Sequence, residues 1–502
     1  MGEDEAPLRP RFLPLWFQPK VLASVMVCQP KSERKTPNEV CPPETASTSP
    51  PMGGSLSRSQ AASDGDRGRF LGPAGPLNRL QGPSLLGRFA RYINQRWDFS
   101  DIVLQMQDSR PRFQIPAKSV FLSVFGMFAT RQRSFNALEQ HLEVPQRWES
   151  WVGPRIPSAD TLGYSLERFD LDPLRDALAK VAHKAKRKKV LKRLRKDSRN
   201  PYWMAALDGH ELGSSFKRCC DQCLQRNIEV NEQTVLQYYH RVVVLQLVGV
   251  TPALILDMEL ILPGEDEVAA ATRIVRRIRK RYPRFIDILT MDALYLQAPF
   301  TKALLEKGFE SVTVLKQENR DLYQDVDGLL KLAPTPAVRK ENSKNAKKIQ
   351  QWDFENLTSW PQVGRSVRVV CSKEVTTRRI RKGRQWKNET ITADWRWMTT
   401  LASGPAPADW IGEAGHARWD IENRGFNELA EHWAMDHCFH HEPTAILAIL
   451  LILALAFGLT TIFFERNLKP QVRQGHTHLF LAHRLMEDII RGGLPSFWSQ
   501  AP

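Results

Sequence analysis

The sequence lacks the marks of export. Its opening residues, MGEDEAPLRP, hold no basic stretch followed by an apolar core, so no secretory signal is expected. Position 6 is Ala6 rather than Ser or Thr, which sets aside myristoylation behind the Met-Gly start. Cysteine is scarce and odd in number. The seven (28, 41, 219, 220, 223, 371 and 438) are clustered rather than spread, which excludes a disulfide framework and suggests a reducing compartment. Acidic charge is also short: 55 Asp+Glu stand against 71 Lys+Arg, a net +16, so a polyanionic partner is expected, whether nucleic acid or an anionic membrane. Long apolar runs are missing except one. Residues 444 to 464, TAILAILLILALAFGLTTIFF, carry no charge and are long enough to span a bilayer. They have little Trp/Tyr belt and no second span to partner them, so a buried core helix is the expected reading and a membrane anchor the alternative.

What is present changes character along the chain. Residues 1–84 hold 13 of the 33 prolines with Ser/Gly-rich runs, too little apolar surface to offset chain entropy, and are expected to be a disordered extension. Residues 85–200 read as a helical, DNA-binding region whose last helix, from about Pro173 to Lys196, ends in the basic run HKAKRKKVLKRLRK. From Tyr202 the pattern turns to strands. YWMAAL ends at Asp208 and Gly209 as a strand ends at a turn, and YYHRVVVLQLV and ALILDMELIL, separated by GVTP, read as a hairpin. Glu265, Asp266 and Glu267 open a helix through Tyr282, where negative charge suits the helix N-terminus. The strand FIDILTM ends in Asp292, followed by a short helix (Pro299 to Lys307) and the strand SVTVL. Residues 321–407 read as a basic β-rich insertion that divides a core domain into 201–320 and 408–470, with a tail at 471–502.

The stretch HARWDIENRGFNELAEHWAMDHCFHH, His416 to His441, organises the rest. As a helix it places Trp419, Glu422, Phe426, Leu429 and Trp433 at spacings of three and four, on one buried stripe. A carboxylate in an apolar face needs a cation, a metal or several donors. Arg418, four residues earlier, is one such partner, although Arg before Glu is the weaker orientation for a helical pair. Two strand-end carboxylates elsewhere, Asp208 and Asp292, supply the alternative. Three carboxylates converging in a basic protein suit hard cations, Mg²⁺ or Mn²⁺, two of which can drive in-line phosphodiester displacement.

The residues carry a resemblance at this point. AALDG around Asp208, LTMDALY around Asp292 and RWDIEN around Glu422 resemble the DDE transposases of bacterial insertion sequences, in the group whose RNase H-like catalytic domain is broken by a β-rich insertion before its Glu helix. The resemblance spans roughly residues 85 to 470. It implies an α+β fold with a mixed sheet flanked by helices, catalytic and metal-binding roles for Asp208, Asp292 and Glu422, and two Mg²⁺ or Mn²⁺ ions. It also implies binding to terminal inverted repeats and target DNA, a homodimer around that DNA, and a place in the bacterial cytoplasm at the nucleoid. The family signature has Tyr, Arg three on, Glu four on and Lys seven on. Arg418 and Glu422 match, while Gly415 stands at the Tyr position and Leu429 at the Lys position. Those departures suggest the alternative of a derived DNA-binding protein without cleavage activity. The resemblance implies stacking of Trp419 near the DNA end, against core packing in its stripe. Arg378, Arg379, Arg381, Lys382 and Arg384 crowd the insertion and are expected to track phosphates. A last constellation stays open: Cys219, Cys220 and Cys223 include a CxxC, and His437, Cys438, His440 and His441 cluster elsewhere, so they form a zinc site only if the fold joins them, and otherwise are packing cysteines and surface histidines.

Overall fold

The computed structural model describes residues 84–492, apart from 143–144, 194–201, 319, 334, 343–346 and 383–384. All but the last residue of the proline-rich extension, and the final ten residues of the tail, therefore lie outside the described residues.

Among the described residues there are twelve strands: β1 (Lys192–Arg193), β2 (Met204–Ser215), β3 (Leu224–Val230), β4 (Gln233–Val248), β5 (Val250–Thr251), β6 (Leu254–Leu260), β7 (Ile288–Met291), β8 (Glu310–Val314), β9 (Val338–Asn342), β10 (Lys347–Leu357), β11 (Val367–Lys382) and β12 (Gln385–Thr399). β1 pairs only with β5, and the other ten make one sheet. Its centre runs β6-β4-β2-β7-β8, with β2, β4 and β6 antiparallel and β7 and β8 parallel to β2. In chain order these are the third, second, first, fourth and fifth strands, the arrangement of an RNase H-like core. The antiparallel half comes from the expected hairpin, with Val242 opposite Leu260 and Leu247 opposite Leu254. The parallel half needs crossovers, and the helices Glu267–Arg281 and Ala298–Glu306 supply them.

The insertion differs from its expected form. It begins with a helix, Asp321–Leu332, and its strands extend the central sheet, because β12 pairs antiparallel with β8 (Trp397 opposite Val314) and β11, β10 and β9 follow in order. The short runs SVRVVC and WRWMTTL are the inner ends of two long strands. Beyond Thr376, the last residue of β11 paired to β10, β11 and β12 continue alone as a two-stranded arm.

The uncharged run forms the helix Pro443–Ile462, whose apolar window is wholly buried inside the protein. It packs against β6 and against the helices Ala117–Ala129 and Leu171–Arg187, so the apolar surface a bilayer would cover is already covered by protein. The N-terminal helices share this one hydrophobic core with the sheet. The last of them ends at Arg187 rather than near Lys196, because the chain leaves it to pair Lys192 and Arg193 with Thr251 and Val250. In the stretch read as a tail, the helix His478–Gly492 packs on Leu85–Trp97, with the Leu86 amide donating to Asp488 at 3.0 Å.

Candidate active site

The sheet register aligns the two aspartates. β2 and β7 pair Met204 with Ile288, Ala205 with Leu289 and Ala206 with Thr290, a constant offset of 84. Asp208 and Asp292 differ by the same 84, so each lies two residues beyond the last pair, Asp208 within β2 and Asp292 just past the end of β7. Asp208 is not at a strand end, however. β2 runs on to Ser215 because Gly209, which reads as a turn, instead lets another element approach: a Cβ there would lie 2.1 Å from Glu267 Oε2. Asp292 does follow its strand, and its carboxylate caps the next turn through the Ala293 amide at 2.7 Å. Lys316 Nζ lies 3.4 Å from the same Asp292 carboxylate.

Glu422 reaches the site from the C-terminal side. Its helix is held on β4 by the Gly249 amide, which donates to Asp420 Oδ2 at 2.8 Å, and by Gln246 Nε2, which donates to the Asp420 carbonyl at 3.0 Å. The expected stripe is only partly kept. Residues Glu422–Phe426 form a π-turn, which shifts the helical register, so Ile421, Phe426, Leu429 and Trp433 are buried while the Glu422 side chain stays 46% exposed. Such turns recur at functional sites.

Arg418 joins the first and third carboxylates. Its buried Nη1 lies 2.7 Å from Asp208 Oδ2 and 3.1 Å from Glu422 Oε1, so those two oxygens are at most 5.8 Å apart. The expected local pair is therefore a three-residue bridge. Glu267 adds a fourth carboxylate that sequence reasoning assigned to the helix N-terminus. It is buried, accepting from Tyr295 Oη at 2.7 Å and Arg241 Nη2 at 2.9 Å, and Asp266 does the capping through the Ala269 amide. No signal in the sequence marks Glu267, because Tyr295 and Asp208 reach it only through tertiary structure.

The electrostatic consequence falls on Asp208. Burial pushes its carboxyl up to about 7; Arg418 works against that, and the nearby Glu267 and Glu422 add to it. Negative charge thus exceeds what the local arginines balance. The donor set is all oxygen, which fits a hard divalent cation. The three carboxylates do not draw their oxygens within 4.8 Å of one another; among the described residues only Cys220, Cys223 and His240 bring three ligand atoms that close.

The two departures from the signature have local causes. A Cβ at Gly415 would sit 2.2 Å from Trp397 Nε1, so no larger side chain fits, and Leu429 is fully buried, a poor place for a lysine. Trp419 is half-buried with its ring edge-on to Trp395 at 5.9 Å. The insertion basics lie on the two-stranded arm: Arg378 pairs with Glu389 at 3.0 Å, Arg379 lies over the exposed Trp386 ring at 5.4 Å, and Arg381 is exposed. Arg384 and the side chain of Lys382 lie outside the described residues.

No curated protein matches the chain. Among solved structures, one of the piggyBac transposase synaptic complex with hairpin DNA is similar at a TM-score of 0.38 and 11% identity, covering 85% of this chain and 82% of that one. At that score the likeness does not bear on fold or function. The family model described as the transposase DDE domain matches residues 237–459, a stretch that contains Asp292, Glu422 and the whole insertion and begins after Asp208. Over this stretch, less than half of its length, the chain is similar to the transposase DDE domain family.

Proposed function

We propose that this protein is the transposase of a bacterial insertion sequence, cutting DNA at the terminal inverted repeats and joining the ends to target DNA. The observation that supports the reading is the shared offset of 84, by which Asp208 and Asp292 continue the β2–β7 register, together with the Arg418 bridge between Asp208 and Glu422. Asp208, Asp292 and Glu422 would hold two Mg²⁺ or Mn²⁺ ions. Such ions, when bound, activate a water or a 3′-hydroxyl and stabilise the leaving oxygen.

The remaining roles belong to the chain itself. Arg418 keeps the Asp208 and Glu422 oxygens close, and its guanidinium would be the group at this site that meets DNA phosphate. Glu267, held by Tyr295 and Arg241, keeps the field around Asp208 negative and so selects for a cation. The arm carrying Arg378, Arg379, Arg381, Lys382 and Arg384 contacts DNA phosphates, and Trp419 lies against the DNA end. Two copies act together around paired ends, in the bacterial cytoplasm at the nucleoid.

A second reading, a DNA-binding protein that does not cleave, draws on Gly415 and Leu429. One experiment separates them: purified protein, its flanking DNA ends and Mg²⁺, with strand breaks read on a sequencing gel. Breaks at the repeat ends that vanish with chelator support the transposase; tight end binding without breaks under Mg²⁺ and Mn²⁺ supports the second reading.

A further inference from the structure

The CxxC and the His/Cys cluster, over two hundred residues apart in sequence, meet in the fold. Cys220 and Cys223 lie in the loop between β2 and β3, and His240 is on β4. The two sulfurs are 3.6 Å apart, too far for a disulfide, and His240 Nε2 lies 3.6 Å from Cys220 Sγ and 3.3 Å from Cys223 Sγ. Around a tetrahedral zinc with Zn–S about 2.3 Å and Zn–N about 2.0 Å, sulfurs sit about 3.8 Å from each other and about 3.5 Å from a nitrogen. The observed triangle lies within about 0.2 Å of those dimensions. Backbone amides also face the sulfurs, Gln222 toward Cys220 and Cys220 toward Cys223 at 3.2 Å, as thiolates require.

The segment between Trp433 and the core helix supplies a candidate for the fourth ligand. His441 qualifies: its ring centroid is 6.2 Å from that of His240, and its Nδ1 is buried with no hydrogen-bond partner. Cys438 is already engaged, donating to the His440 carbonyl at 3.1 Å. We infer that Cys220, Cys223, His240 and His441 form a structural zinc site, distinct from the carboxylate site.

The place of this site gives it a purpose. The CxxC loop continues the Asp208 strand, and His441 lies just before the Pro443–Ile462 helix and after the helix of Glu422. A zinc ion there ties the strand of the first carboxylate to the element that carries the third. The contacts beside it, His210 to Asp436 at 2.6 Å and His210 stacked on Phe426 at 4.6 Å, run along the same seam.

The test uses the full chain, expressed in zinc-supplemented medium and desalted under reductant. Elemental analysis should find one zinc per chain, and X-ray absorption should show two sulfurs near 2.3 Å with two nitrogens near 2.0 Å. Alkylation of Cys220 and Cys223, followed by mass spectrometry, should speed up about tenfold after a chelator while exposed Cys219 is unchanged. Cobalt(II) added to the stripped protein should give a thiolate charge-transfer band. Cys223→Ser and His441→Ala should lose the metal, and Cys438→Ser should keep it. Zinc-free protein that takes up no cobalt, a Cys220–Cys223 disulfide, or a full zinc equivalent retained by Cys223→Ser would overturn the site.

Discussion

Two clusters of carboxylates and arginines flank the helix Glu267–Arg281, and they are built on opposite plans. At the β6 side, Asp257, Glu259 and Glu265 meet Arg175, Arg273 and Arg277. Arg277 grips Asp257 at 2.6 and 3.1 Å and also reaches Glu259, Arg175 lies 3.3 Å from Asp257 and 3.4 Å from Glu259, and Arg273 forks onto Glu265 at 2.6 Å. Three acids face three bases. Their partners lower the Glu265 pKa against the pull of burial and raise those of Arg273 and Arg277. At the β2 side, Asp208, Glu267 and Glu422 share Arg418 and Arg241, and Asp208 is driven upward instead. The same residue types thus serve two ends: the balanced cluster holds the helix to the sheet, and the unbalanced one keeps a demand for positive charge that a divalent ion meets.

The comparison breaks first on activity. Asp208→Asn, Asp292→Asn and Glu422→Gln should each lower strand cleavage by about 10³-fold or more, since metal stabilisation of a phosphodiester transition state is worth several kcal/mol. End binding, measured by gel shift, should change little because phosphate contacts made elsewhere supply most of it. Cleavage retained within tenfold by any one of the three would remove that residue from the site. Next in size is stability. Arg277→Ala strips the buried Asp257 of its closest partner and should cost about 3–5 kcal/mol in denaturant unfolding. A loss as large from Asp208→Asn would mean that both clusters are structural.

How far this contrast was legible depends on what each residue meets. The β4–β6 hairpin was, because β-branched runs bounded by GVTP leave few other structures. Asp292 was, since it follows a short apolar strand directly. Asp208, expected at a strand end, lies within β2, because Gly209 has the same appearance whether it makes a turn or admits Glu267. Glu267 itself was hidden, as a helix start followed by basic residues explains it locally. Arg281 pairs with Asp172 and Asp176, and Arg279 donates to the Lys307 carbonyl, contacts between distant segments that leave no local mark in the sequence. The pairing of β12 with β8 was out of reach, since register across an insertion leaves no local mark. For Pro443–Ile462 the composition admitted two solvents, and the packed helices around it supply the protein one.

A smaller effect sharpens the comparison through pH. With its folded pKa near 7 and an unfolded value near 3.9, Asp208 binds a proton in the folded state that the unfolded chain has already released. Between those values the folded state holds more protons, so metal-free stability falls as pH rises from about 4 to about 7, by at most ~4 kcal/mol, and is flat outside that window. The difference in unfolding free energy between wild type and Asp208→Asn, measured in chelator, should therefore move against wild type from pH 5 to pH 8. Mg²⁺ binds the ionised form and should stabilise wild type more at pH 8 than at pH 6. A difference that does not change with pH would put Asp208 among the balanced carboxylates.

The smallest effect concerns the arm, whose basic residues lie outside both clusters. Arg379 and Arg381 project from the same face of the two-stranded part of β11, two residues apart, and Arg378 from the other, paired with Glu389. If the arm follows a DNA backbone, the face with Arg379 and Arg381 makes the contacts, and Trp386, exposed opposite Arg381, lies beside them. Arg379→Ala with Arg381→Ala should then flatten the plot of log affinity against log salt by up to about 1.8, near 0.9 for each phosphate released. Arg378→Ala should change it by much less, because its side chain points to the opposite face of the arm. The loss should be similar on repeat-end and unrelated DNA, since phosphates carry no sequence. An unchanged slope in the double variant would leave the arm as solvated surface, and an equal change from Arg378 alone would show that both faces meet DNA.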